Sequence, residues 1–191
     1  MLGHSWGTLV ALALALRFPE RVSGLVLASG YYFPTRRKDV WFLSTTAIPG
    51  IGDLMRHTVL PFIGQRITPR VLRHIFAPRP VPEHFMAKFP IGLSLRPLTL
   101  RASAEDTGAM VPAAARMQQR YGEITCPVAV IWGDGDKIVE AEHGPRMKAA
   151  LPQAITRVLP GVGHMVHYAD PDAVLAMVDA VAEWKPDARS G

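Results

Sequence analysis

Gly3-His4-Ser5-Trp6-Gly7 runs without a break into Thr8 to Phe18, where Leu9, Leu12, Ala13 and Leu16 recur at helical spacing and Pro19 ends the run. A G-x-S-x-G that opens a buried helix marks a serine held on a sharp strand-to-helix turn. Such a turn is strained and accepts only small neighbours, and it presents the serine oxygen at the helix N-terminus. The Trp6 N–H, next along, is placed to stabilise an oxyanion, while His4 on the other flank lines the pocket with its side chain turned from the point of attack. Five residues with two glycines and a serine also arise by chance, and Ser5 taken alone reads equally well as a helix cap. The rest of the chain has to decide.

Downstream of this helix, Val22 to Ala28 is a short apolar run bounded by Gly30, the pattern of a strand buried on both faces of a parallel sheet. Val128 to Trp132 repeats that pattern and stops at Gly133-Asp134-Gly135-Asp136, a turn of residues that tolerate tight backbone geometry. A helix over about 140–151 follows, then a strand near Ile155 to Leu159, a loop with Gly161, Gly163 and His164, and a last helix from about Pro171 to Trp184. Strand, helix, strand, helix in that order means an α/β fold with a parallel sheet and flanking helices. The middle differs: ten prolines between Tyr31 and Tyr121 predict short helices punctuated by turns and argue against long ones.

A serine hydroxyl is a poor nucleophile at neutral pH until an imidazole takes its proton, and that imidazole needs a carboxylate to fix its tautomer and stabilise its cation. The chain offers Asp136 at the end of a predicted strand, with Asp134 in reserve, and then His164 in a glycine-rich loop. Of the other histidines, His57, His74, His84 and His143 lie in no motif and read as surface or hydrogen-bonded residues. Cys126, before a proline and a strand, reads as a small buried hydrophobe. No Cys/His cluster with metal-ligand spacing occurs, so no metal or other cofactor is expected.

The segments G-H-S-W-G-T (3–8), W-G-D-G-D-K-I-V (132–139) and P-G-V-G-H-M-V-H (160–167) together resemble the three signature regions of the α/β-hydrolase fold superfamily. The resemblance implies Ser5 as nucleophile, Asp136 as acid, His164 as base, and Trp6 and His4 as oxyanion or substrate contacts. It implies a partial α/β-hydrolase sheet over residues 1–32 and 121–191, with 33–120 inserted as a helical cap whose apolar pieces, Val40 to Leu43 and Val59 to Ile63, roof the pocket. Trp6 immediately after Ser5 resembles haloalkane dehalogenases and epoxide hydrolases, but those relatives carry Asp where this chain has Ser5. A serine forms an acyl ester, so carbonyl substrates are expected: carboxylesters, lactones, thioesters, and in some relatives carbon–carbon bonds beside a ketone.

Members of the superfamily also carry further strands and a second oxyanion donor ahead of the elbow. Only three strands are predicted here, and the strand feeding the elbow is expected to lie outside the chain. Two functions follow: a serine hydrolase of small apolar acyl substrates, or an inactive remnant acting as an oligomeric binding protein. An unpaired sheet edge is expected to drive homo-oligomer formation in either case.

The 191 residues are 49% hydrophobic and 19% charged, enough for a real core and too little solvated surface for disorder or a coiled coil. The net charge of +5 is concentrated in residues 31–120, which hold 13 Lys/Arg and 5 Asp/Glu. Its arginines are spread singly apart from Arg36-Arg37-Lys38, so nucleic acid is not expected as a partner. The apolar stretch from Trp6 to Leu16 lacks a basic flank and is too short to cross a bilayer, so no export and no stable membrane insertion are expected. One cysteine needs no oxidising compartment, and a cytoplasmic location is expected.

Overall fold

A computed structural model describes residues 1–35 and 48–184; the Arg36-Arg37-Lys38 run and the apolar piece Val40 to Leu43 lie outside the described residues. β1 (Leu2–His4) leads into α1 (Gly7–Arg17), and β2 (Leu25–Ala28) follows. Next come α2 (Ile51–His57), α3 (Val59–Phe76), α4 (Glu83–Lys88), α5 (Ile91–Ser94) and α6 (Pro97–Met117). The chain then returns to the sheet through β3 (Val128–Gly133), α7 (His143–Ala150), β4 (Ile155–Leu159), α8 (Val166–Ala169) and α9 (Pro171–Ala182).

The strands form one parallel sheet in the order β1-β2-β3-β4. That is one strand more than the sequence predicts. Leu2-Gly3-His4 is itself the strand that feeds the elbow, paired Leu2↔Val26, Gly3↔Leu27 and His4↔Ala28. Three residues carry no readable periodicity; main-chain bonds define this strand, and the Met1 amine extends them by donating to the Gly24 carbonyl at 2.8 Å.

Alternation along the strands sorts the core into two layers. Leu25, Leu27, Val128 and Val130 point to a cluster closed by Leu12 of α1, Tyr121, and Met147 and Leu151 at α7. Val26, Ala28, Ala129 and Ile131 point the other way, onto Val166 of α8 and Val174 and Met177 of α9. Each fully buried aliphatic side chain contributes about 1.5–3 kcal/mol, so the apolar strand cores secure the sheet between two helical layers.

Between β2 and β3 the helices are longer than the prolines predict: α3 has 18 residues and α6 has 21. Pro61 and Pro97 sit in the first turns, where their missing N–H has no intrahelical partner to lose. Pro69 and Pro112 lie inside the helices. Each removes one ladder bond at a cost of about 3 kcal/mol, and burial of Leu72 and Phe76 on α3 and of Ala104 and Ala114 on α6 holds the helices together across the breaks.

Candidate active site

Ser5, Asp136 and His164 each follow the C-terminal end of a strand, the end at which open parallel sheets bind ligands. Ser5 follows β1 with φ 53°, a left-handed backbone that costs an L-residue about 1–3 kcal/mol and must be imposed by its surroundings. Three bonds impose it. Ser5 N–H donates to Ala28 O at 2.9 Å, while Thr8 donates to Ser5 O from both its N–H, at 3.1 Å, and its hydroxyl, at 2.6 Å. The steric demand of the elbow falls on one of its two glycines. A Cβ on Gly3 would come within 2.6 Å of Gly7 O, whereas one on Gly7 would meet nothing within 4 Å.

Asp136 sits in the turn after β3 with its side chain 3% exposed. One carboxylate oxygen, Oδ1, accepts from Ile138 N at 2.8 Å and Val139 N at 3.0 Å, and the other, Oδ2, is 2.8 Å from His164 Nδ1. On its far side His164 Nε2 is 2.8 Å from Ser5 Oγ. A carboxylate held by two main-chain donors has only acceptor positions left, so Nδ1 carries the imidazole proton and Nε2 accepts from the serine. Carboxylate, imidazole and hydroxyl in such a line are able to draw the proton off the hydroxyl and stabilise the resulting cation.

Asp134 plays a different part, since its Oδ1 accepts from Gly161 N at 2.7 Å. With Gly135 N donating to Val162 O at 2.9 Å, this stitches the turn after β3 to the loop that carries His164. The helical insertion grips the same loop from above. Arg79 donates to Gly161 O at 3.3 Å and Ala169 O at 3.1 Å, and Ala77 packs so closely on Gly163 that a Cβ there would lie 2.0 Å from Ala77 O. Neither Arg79 nor the two main-chain donors to Asp136 carries any sequence signal, since their roles exist only after folding.

Trp6 reaches the insertion too, its indole N–H donating to Asp106 O at 3.0 Å. The His4 ring faces the His164 main chain and stands beside His167, their ring centroids 4.5 Å apart. His143 is buried, and its Nδ1 accepts from Tyr32 N at 3.0 Å. Among the described residues no group of His, Cys, Asp and Glu is placed to hold a metal ion. Cys126 packs against the core, and burial raises its thiol pKa, which weakens it as a nucleophile.

Burial pushes His4 down from 6.5 to about 4, against the opposing hydrogen bond to the His164 carbonyl, and lowers His167 as well, where the nearby His164 adds to the shift. A folded state that refuses protons the unfolded chain accepts is weakened as pH falls. The contribution of these two rings is therefore whole above about pH 6.5 and is lost progressively toward pH 4. Urea midpoints are expected to fall between pH 7 and pH 4.5, less steeply in His4→Gln; equal slopes in the two proteins would contradict the assignment.

The chain belongs to the Alpha/beta hydrolase family, whose sequence profile matches residues 1–177. The 2-hydroxy-6-oxo-6-phenylhexa-2,4-dienoate hydrolase of Burkholderia cepacia is 28% identical to it over 182 residues, covering 91% of this chain and 58% of that protein. A 2-hydroxy-6-oxononadienedioate/2-hydroxy-6-oxononatrienedioate hydrolase of Cupriavidus pinatubonensis is 28% identical over 190 residues, covering 93% and 60%. The chain thus spans less than two thirds of the length of either relative. Among solved structures, an esterase from Exiguobacterium antarcticum superposes with TM-score 0.68 at 18% identity, covering 95% of this chain and 66% of that one. The enol-lactonase from Burkholderia xenovorans LB400 does so with TM-score 0.64 at 20% identity, covering 95% and 65%. These likenesses define the fold. No helix among the described residues is long and apolar enough to cross a membrane.

Proposed function

We propose that the chain carries the catalytic centre of a serine hydrolase that attacks a carbonyl in a small, largely apolar substrate and passes through an acyl-enzyme. The observation that carries this reading is the unbroken line from Asp136 Oδ2 to His164 Nδ1 and from His164 Nε2 to Ser5 Oγ, both steps 2.8 Å long. Ser5 Oγ adds to the carbonyl carbon as its proton passes to His164 Nε2. The oxyanion so formed meets the Trp6 N–H at the N-terminus of α1. His164 then returns the proton to the departing group, and water, deprotonated by the same nitrogen, hydrolyses the acyl ester on Ser5.

Relatives named as hydrolases of 6-oxo acids support a carbonyl carbon as the electrophile. Within that class, carboxylesters, lactones and thioesters suit a serine acyl-enzyme best. The insertion between β2 and β3 serves as the cap, seated on the site by Trp6–Asp106 and by the Ala77–Gly163 contact. A fluorophosphonate probe is expected to add covalently to Ser5, located by peptide mass spectrometry. Absence of labelling in folded protein would reject the reading in favour of an inactive binding protein.

We propose also that copies of the chain associate through the outer edge of β1. Leu2 is 49% exposed there, and grooves of about 410 and 450 Å³ flank the strand, the first lined by Leu2, Val26 and Trp184, the second by Leu14, Phe18 and Val22. A sheet edge that no strand covers among the described residues is a template for another strand. Light scattering is expected to give at least twice the 20.9 kDa of one chain, and a monomer at micromolar concentration would exclude the association.

A further inference from the structure

Three imidazoles meet at the site, and proton transfer from Ser5 needs only one. His4 is the last residue of β1 and the immediate neighbour of Ser5. Its Nε2 lies 3.0 Å from the main-chain oxygen of His164, and the two rings stand 4.9 Å apart, tilted by 53°. A carbonyl oxygen only accepts, so Nε2 must bear a proton and donate it. We propose that His4 is a positioning residue for the hydrolysis, an imidazole on the sheet that ties down the backbone of the catalytic base. This rests on the reading of Ser5 and His164 as nucleophile and base.

The side chain of His164 is held at both nitrogens, but its main chain belongs to a loop with Gly161 at φ +63° and Gly163 beside it. Glycines leave such a loop conformationally loose unless something outside it supplies the constraint. His4 adds to the ties that Asp134, Gly135 and Arg79 make to this loop, and it does so at the base itself, from a strand hydrogen-bonded to β2 in the register His4↔Ala28. The nucleophile and the anchor of its base are consecutive residues, so the distance between Ser5 Oγ and His164 Nε2 is set within one unit. An error of about 1 Å in such a distance costs on the order of a hundredfold in rate.

Charge matters as much as reach. The groups acting on His4 are His164, His167 and Asp136, and burial outweighs them all in keeping the ring neutral down to about pH 4. During turnover His164 becomes a cation, and a second cation 4.9 Å away would oppose that step. A neutral donor fixes the loop without this opposition; lysine or arginine at position 4 would not.

The test compares His4→Gln, which keeps a neutral N–H donor, His4→Leu, which removes it, and His4→Lys, which replaces it with a cation. Each is assayed on a p-nitrophenyl ester, with fluorophosphonate titration to count competent sites. His4→Leu is expected to lose about ten- to a hundredfold in kcat with KM and the count of labelled sites unchanged, and His4→Gln to recover most of that loss. In His4→Lys the acid limb of kcat/KM is expected to move to lower pH, which a space-filling role would not produce. Equal kcat in His4→Leu and wild type overturns the proposal, as does a Gln variant no better than Leu. If wild type itself neither turns over ester nor labels, the hydrolase reading fails and the proposal with it, whereas an active, labelled wild type matched by His4→Leu fails the proposal alone.

Discussion

Asp136→Asn is expected to lower kcat by about 10⁴-fold while leaving the fold and the ester KM intact. The reason lies in how the carboxylate is held. Its Oδ1 accepts from Ile138 N and Val139 N, two main-chain donors that only an oxygen satisfies. An asparagine in this place must therefore keep its carbonyl on those donors and turn its NH₂ toward His164 Nδ1, 2.8 Å away. That nitrogen must then accept, the imidazole proton moves to Nε2, and the atom facing Ser5 Oγ can no longer take a proton. Ser5→Ala, which removes the proposed nucleophile, is expected to cost on the order of a millionfold. Asp134→Asn should be close to wild type, because an amide oxygen still accepts from Gly161 N. Steady-state kinetics on one ester across the three variants decides the matter: comparable losses at 134 and 136 would reject the assignment of the acid.

The ends of the chain were legible because their chemistry is local. A serine at a helix start, an aspartate after an apolar strand and a histidine between glycines each carry their context within a few residues, and parallel strands buried on both faces read as plain apolar runs. What was illegible depends on contacts between distant segments. β1 is three residues long and exists through its bonds to β2. The stretch from Val22 reads as a strand, yet pairing begins at Leu25, since Val22 instead closes the 3₁₀ turn Pro19–Arg21. In the insertion, proline reads as a helix breaker, while α3 and α6 run through Pro69 and Pro112 because tertiary burial outweighs one missing hydrogen bond in each. For His4 the motif predicts a pocket-lining residue with an averted ring. Nothing in the sequence indicates that the ring turns to the backbone of His164, 160 positions away.

Gly163→Ala is expected to damage activity far more than its single methyl would imply. The added Cβ would lie 2.0 Å from Ala77 O, 2.9 Å from Ala77 C and 3.0 Å from Phe76 O, all main-chain atoms that cannot rotate out of the way. Either the segment after α3 lifts or the loop carrying His164 sinks. The loop has little freedom to sink, because Gly133 packs against its underside: a Cβ on that glycine would lie 2.1 Å from Val162 O. The strain is therefore shared between the insertion and the residue next to His164. Overpacking of this kind costs about 1–3 kcal/mol in stability, and displacement of His164 Nε2 from Ser5 Oγ is expected to cost about a hundredfold in kcat. Gly92→Ala, in the same insertion but with nothing within 4 Å of its Cβ, should instead be neutral or slightly stabilising, as alanine is the better helix former. Thermal midpoints and kcat measured on both variants separate a steric account from general fragility of the insertion. If Gly163→Ala keeps wild-type kcat, the loop and the insertion are not wedged together, and the insertion does not help to set the position of His164.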